Sequence, residues 1–240
     1  MDKNEAMLCA GISSAVYGDT CNVKGFQLTA RFENKGTDTQ GVFGEAQGNA
    51  LVVGFRGSEE TGLWDWITDL KFVQQVYPYG EKKDSQVKVH YGFITAYQSV
   101  RDAVLAQVKQ SPHQRVICTG HSLGGALATL AALDIQYNFP DKQVSCYTFG
   151  SPKVGNDYFV KSYNKRVPNT YRFVNSADKV PDLPPGTYEH VGALHHIGQV
   201  GQQVTEQVTN LMDKVMGKVM DKVEDHFPQN YIKALRELFD

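Results

Sequence analysis

The sequence predicts a single α/β domain, residues 1–240, built on a mostly parallel sheet flanked by helices. Three observations carry this reading. A length of 240 residues suits one domain, which at this size buries about 70 to 75% of its unfolded surface. Short apolar runs alternate along the chain with stretches of helical period, the pattern of crossover connections and hence of parallel strands. One of those runs leads straight into a glycine-bounded turn and then a helix, the kind of junction that places a site at the carboxyl end of a strand.

The elements follow in order. Residues 2–16 carry a helical pattern. Phe26, Leu28, Ala30 and Phe32 alternate with polar neighbours in FQLTARFE, the period of a half-buried strand. Gly41 to Gly48 reads as turn. Ala50 to Phe55 is a compact apolar run, as a strand buried on both faces requires. From Gly92 to Ser111, the residues Phe93, Tyr97, Val100, Val104 and Val108 recur at steps of three and four, which puts them on one face of a helix ended by Pro112. Arg115 to Thr119 is a β-branched run, Leu123 to Asn138 a helix stopped by Pro140, and VSCYTF, TYRFVN, YEHVG and LHHI read as further strands. Val200, Val204, Val208, Leu211, Val215, Val219 and Val223 form a long stripe over about 199–224, with Met212, Met216 and Met220 beside it. Such stripes more often pack on a core than serve as a membrane or partner surface. No repeat, low-complexity tract or linker divides the chain.

Composition excludes several classes. Apolar residues make up 41% and charged residues 21%, and 24 Lys and Arg stand against 26 Asp and Glu, a net charge of −2. That balance offers no counter-field for phosphates, so nucleic acid is not an expected partner. No stretch approaches the roughly 20 apolar residues of a spanning helix. The first twenty residues lack a basic start followed by an apolar run, which fits a cytoplasmic chain or a secreted one whose leader has been removed. Cys118 and Cys146 lie in apolar strand-like runs, where a buried thiol is the usual state. Cys9 and Cys21 flank a helix end and a turn, and would bridge if their Cα atoms approached to about 6 Å.

The chemistry concentrates in GHSLGG, residues 120–125. A serine forced onto a sharp strand-to-helix turn has strained backbone angles, and small residues at Gly120 and Gly124 let the neighbouring chain pass. Ser122 then projects a hydroxyl clear of the sheet, and the N–H of Leu123, at the positive end of the following helix, is placed to donate to a developing oxyanion. A serine hydroxyl is a poor nucleophile until a histidine takes its proton and a carboxylate fixes that histidine's tautomer. Both are expected downstream, in the order Ser, acid, His. Asp178 follows the strand TYRFVN, with Asp182 four residues on as competitor. The histidines available are His190, His195 and His196, in or near strands where a histidine is more often structural, and His226, in a loop before Pro228.

The segments VVGFRGSEE with WDWITDL, VHYGFITAY, GHSLGGALATLAAL, NSADKVPDLPP and DHFPQNYIKAL together resemble the class 3 lipases, the family of the fungal triacylglycerol lipases, over about Leu51 to Leu235. The resemblance implies an α/β-hydrolase fold. It also implies Ser122 as nucleophile, Asp178 as acid, His226 as base, and Ser58 as an oxyanion-hole donor beside Leu123. A short lid is implied at about 59–68, where Leu63, Trp64, Trp66 and Ile67 supply apolar surface for an acyl chain.

The expected activity is therefore hydrolysis of acylglycerol esters by an acyl-enzyme route, at a lipid–water interface, with no metal or organic cofactor. The same site would serve a phospholipase A1, a galactolipase, a feruloyl-type esterase or an acyltransferase. A catalytically silent lipid-binding protein is the reading from another class. The oligomeric state is left open.

Overall fold

The computed structural model describes residues 1–46, 49–58, 73–79, 86–176, 178–198 and 224–239. The lid residues Leu63, Trp64, Trp66 and Ile67 and the apolar stripe of 199–223 lie outside the described residues.

A seven-stranded sheet runs through the centre in the order β1-β2-β3-β6-β7-β8-β9. Its strands are β1 (Phe26–Asn34), β2 (Thr39–Ala46), β3 (Ala50–Phe55), β6 (Arg115–His121), β7 (Gln143–Phe149), β8 (Thr170–Asn175) and β9 (Ala193–Ile197). The first three form an antiparallel meander, and from β3 onward every pairing is parallel. A separate ribbon pairs β4 (Gln74–Val76) with β5 (Lys88–His90).

The parallel half explains the apolar runs. All six residues of β3 are buried. Leu51, Val53 and Phe55 point into one core while Ala50 and Val52 point into the other, because successive side chains of a strand face opposite ways. The first core lies under α2 (Tyr91–Gln98), α3 (Arg101–Gln110), α4 (Leu123–Asn138) and α5 (Asp157–Arg166). The second lies under α1 (Lys3–Ala15) and α6 (Pro228–Phe239). α4 is the central helix: every residue from Gly124 to Ile135 is buried.

Several sequence expectations are corrected. Gly41 to Ala46 is strand, not turn. A Cβ at Gly41 would meet the Phe32 ring at 2.2 Å, and one at Gly44 the Phe26 ring at 2.3 Å, so these glycines make room for aromatics of the neighbouring strand. β1 is an edge strand with Phe32 its one buried residue, so the alternation in FQLTARFE does not mark a half-buried face. The helix expected from Gly92 to Ser111 is two helices broken at Ser99 and Val100. The Ser99 hydroxyl donates to the Ala96 carbonyl at 2.7 Å and its carbonyl accepts from Asn34, local bonds that compete with helix continuation. The stripe survives the break, since Phe93, Tyr97, Val100, Val104 and Val108 are all buried. YEHVG contributes one isolated bridge, at Glu189, rather than a strand. All four cysteines are buried free thiols, so Cys9 and Cys21 are not bridged.

One partly buried ion pair fastens α4 to its neighbours. Asp134 is fully buried and accepts from Tyr97 Oη at 2.8 Å and from Arg101 Nε and a terminal nitrogen at 2.7 and 3.0 Å. The Arg101 guanidinium also stacks on Tyr79, 3.8 Å from the ring centre, which ties the ribbon region to the core. Arg101 keeps partial access to solvent while Asp134 has none, so loss of Asp134 removes charge-assisted bonds and leaves the buried Tyr97 hydroxyl without its acceptor. Asp134→Ala is expected to lose about 3 kcal/mol in urea unfolding at neutral pH, and Asp134→Asn, which keeps an acceptor, distinctly less. Asp134→Asn as stable as the wild type would show that the charge is not what holds this contact.

Candidate active site

The site lies at the carboxyl ends of β6, β7 and β8, where a parallel sheet leaves a crevice. Ser122 follows β6 directly and precedes α4. Its backbone has φ 56° and ψ −129°, a region that non-glycine residues occupy at a cost of order 1–3 kcal/mol. Two features hold it there. Ser122 N–H donates to the Phe149 carbonyl at 2.9 Å, and the chain on either side is packed too tightly to relax. A Cβ at Gly120 would meet the Gly124 oxygen at 2.2 Å, and one at Gly124 would meet the Phe55 oxygen at 2.4 Å. The sequence requirement for glycine at both positions is thus a contact requirement.

Asp178 lies in the loop after β8 and is almost fully buried. Its Oδ1 accepts from Val180 N–H at 2.9 Å. Its Oδ2 accepts twice, from His226 Nδ1 at 2.8 Å and from Tyr231 Oη at 2.6 Å. A carboxylate accepts and does not donate, so His226 carries its proton on Nδ1 and leaves Nε2 with a free lone pair. Among the described residues that buried Nε2 has no hydrogen-bond partner, and neither has Ser122 Oγ. Gly150, one residue beyond Phe149, explains how closely the parts approach. A Cβ there would meet Asp178 Oδ2 at 2.8 Å and His226 Nδ1 at 3.0 Å.

The competing residues are placed elsewhere. Asp182 is exposed and faces Lys179 at 3.2 Å. His190 donates from Nε2 to the Pro181 carbonyl at 2.7 Å, His195 stacks on Phe173, and His196 is exposed on the edge strand β9. Leu123 is the first residue of α4, so its N–H has no intrahelical acceptor. Ser58 stands three residues beyond β3 in the half-buried stretch 56–58. Gly57 beside it packs against the nucleophile turn, its Cβ position 3.3 Å from Ser122 Cβ.

Sequence reasoning missed Tyr231. It sits in the first turn of α6, five residues after His226, accepts from Asn175 N–H at 3.1 Å and donates to Asp178. Burial, then the negative charge of Asp178, pushes the phenol far above its ordinary range, so it remains a donor. Asn175 also donates from Nδ2 to the Asp225 carbonyl at 2.9 Å. Tyr231 and the turn that carries His226 are therefore anchored to the strand end that leads into the Asp178 loop. Among the described residues no group of three or more His, Cys, Asp or Glu is arranged to hold a metal ion, and no helix is long and apolar enough to cross a membrane.

Known proteins resemble this chain in sequence and fold. The family described as Lipase (class 3) matches residues 52–188, more than half of the chain. A lipase of Rhizomucor miehei is 38% identical over 159 residues, covering 63% of this chain and 41% of that protein. Secreted mono- and diacylglycerol lipase 1 of Fusarium solani is 38% identical over 143 residues, covering 56% and 39%. A solved triacylglycerol lipase whose catalytic centre is a serine-protease triad superposes with a TM-score of 0.72 at 31% identity, over 81% of this chain and 79% of that one. The fold and its central parallel sheet are those of the α/β-hydrolases, and the chain belongs to the class 3 lipase family. The matched part spans about two-fifths of the length of these curated relatives.

The loop that carries Asp178 has a pH dependence of its own. Burial, with the positive charge of Arg172 adding to it against the opposing Pro181 hydrogen bond, lowers the His190 pKa from 6.5 to about 3. The folded state thus holds His190 neutral where the unfolded state binds a proton, so stability is complete above about pH 6.5 and falls as the pH drops toward 3. His190→Gln, which keeps an N–H for Pro181 but does not titrate, is expected to lose less stability than the parent between pH 7 and 4.5. Parallel slopes in urea unfolding at the two pH values would exclude His190 as a source of the acid sensitivity.

Proposed function

We propose that the protein hydrolyses the carboxylic ester bonds of acylglycerols through an acyl-enzyme on Ser122. The observation that carries this is the His226 Nδ1 bond to a fully fixed Asp178, which leaves His226 Nε2 unprotonated and able to act as a base. Membership of the lipase family and the names of the relatives support a lipid ester as substrate.

Each residue then has a defined part. Ser122 Oγ attacks the ester carbonyl while His226 Nε2 takes its proton. The positive charge formed on the imidazole is stabilised by Asp178, which stays ionised. The carbonyl oxygen becomes an oxyanion and accepts from the Leu123 N–H and from Ser58. One such donor typically contributes about 2.7–4 kcal/mol to the transition state. Collapse returns the proton to the leaving alcohol and leaves an acyl ester on Ser122. Water, deprotonated by the same Nε2, attacks that ester, releases the acid and restores the serine. No step requires a metal or an organic cofactor. Leu63, Trp64, Trp66 and Ile67 are assigned to the acyl-binding side of the site on the family resemblance and their apolar character.

A series of p-nitrophenyl esters from acetate to palmitate tests this in the wild type and in Ser122→Ala. The expected result is turnover that rises toward long chains and falls on the order of 10⁴-fold or more without Ser122. Turnover confined to acetate would point to a small-ester esterase on the same site. Absence of any Ser122-dependent turnover would overturn the hydrolase reading in favour of a lipid-binding protein.

A further inference from the structure

His121 and Tyr17 have no part in the steps above, yet they occupy the space between the two loops that carry them out. His121, the residue before Ser122 in the chain, is buried, and its ring centre is 4.5 Å from that of His226. A second cation at that distance would oppose the imidazolium that His226 must form. Burial, with the neighbouring His226 adding to it, pushes the His121 pKa far below the ordinary histidine value, so the ring is neutral. In a neutral imidazole one nitrogen donates and the other accepts. Nε2 faces the backbone carbonyl of His226 at short range. A carbonyl only accepts, so Nε2 carries the proton. Nδ1 is then an acceptor and takes its bond from the Tyr17 hydroxyl at 3.1 Å. Burial drives the Tyr17 pKa well upward, so that hydroxyl keeps the proton it donates.

Tyr17 stands just past the end of α1, on the far face of the sheet from α4, and reaches the site from there. Its hydroxyl lies so close beneath Gly57 that a Cβ on Gly57 would meet it at 2.3 Å. The Arg56 guanidinium lies over the Tyr17 ring, 5.7 Å from its centre, and also donates to Gln40 at 2.7 Å. The stretch 56–58 is thus seated on Tyr17, Tyr17 is bonded to His121, and His121 is bonded to the backbone of His226.

We propose that Tyr17 and His121 are a positioning pair that fixes the spacing between the oxyanion stretch 56–58 and the catalytic base. The proposal rests on the serine-hydrolase reading, because it assigns the pair no chemistry of its own. An apolar pair of similar size would fill the same volume. Two directional bonds in a site of low dielectric add a fixed orientation, which packing alone does not supply. Displacement of reacting groups by about 1 Å is enough to cost on the order of 10²-fold in rate.

The test uses the whole chain and p-nitrophenyl butyrate, with Tyr17→Phe, His121→Leu, His121→Gln and the double variant Tyr17→Phe/His121→Leu. Tyr17→Phe removes one oxygen and keeps the ring, so folding is preserved, and thermal unfolding of each variant is followed in parallel. The expected result for Tyr17→Phe is a fall in kcat of about 10-fold or more with KM within twofold. His121→Leu falls at least as far, His121→Gln recovers part of the loss through an amide N–H to the His226 carbonyl, and the double variant is no worse than His121→Leu, because the two residues act as one unit. Unchanged kcat in Tyr17→Phe, a loss carried by KM alone, or losses that multiply in the double variant would overturn the positioning role while leaving the hydrolase intact. A wild type without Ser122-dependent turnover would overturn both.

Discussion

The carboxylate of Asp178 is the interaction on which the rest of the site depends. A buried negative charge is costly unless its lone pairs are satisfied. Here the donors come from its own loop through Val180, from the turn before α6 through His226, and from α6 itself through Tyr231. Two segments distant in sequence converge because one group needs donors from both. That convergence fixes the histidine tautomer and aims the remaining nitrogen. It also explains the tolerance of the fold for a glycine at 150 with φ +60°, where any side chain would press on both members of the pair.

The sheet supplies the frame within which that carboxylate can work. Parallel strands β6, β7 and β8 end side by side. A serine at the tip of the first, a glycine at the tip of the second and an acid just past the third therefore fall within reach of each other. The strain at Ser122 is sustained by packing that cannot relax, through the Phe149 carbonyl on one side and the Phe55 oxygen beneath Gly124 on the other. Stability elsewhere, in the two cores and in partly buried pairs such as Asp134 with Arg101, offsets what this turn costs.

Much of this was legible in the residues, and the remainder has physical reasons. The parallel half of the sheet and α4 could be read because strands buried on both faces are apolar without interruption, and because a helix bounded by GHSLGG and Pro140 has clear ends. β2 was hidden by Gly41 and Gly44, whose role is to admit the rings of Phe32 and Phe26, so a local rule for turns gave the wrong element. The break at Ser99 has no glycine or proline to announce it and follows from side-chain bonds to a distant strand. Asp178 and His226 could be narrowed from several candidates only by the family resemblance, since no spacing rule links residues 48 apart. Tyr231 lay within the same segment, but a tyrosine in a helical turn carries no signal of a bond to a carboxylate on another loop. His121 sat in plain view inside the motif, and its neutral state and tautomer emerge only from what its two nitrogens face.

The central claim is that Asp178 fixes His226 so that Nε2 activates Ser122. The most direct measurement is the rate at which a fluorophosphonate labels Ser122 in Asp178→Asn, compared with the wild type, with thermal unfolding measured on both. An amide keeps the shape of the carboxylate but offers His226 the wrong partner, so labelling is expected to slow on the order of 10⁴-fold while the fold is retained. Labelling of Ser122 at the wild-type rate in the folded Asp178→Asn variant would contradict the account.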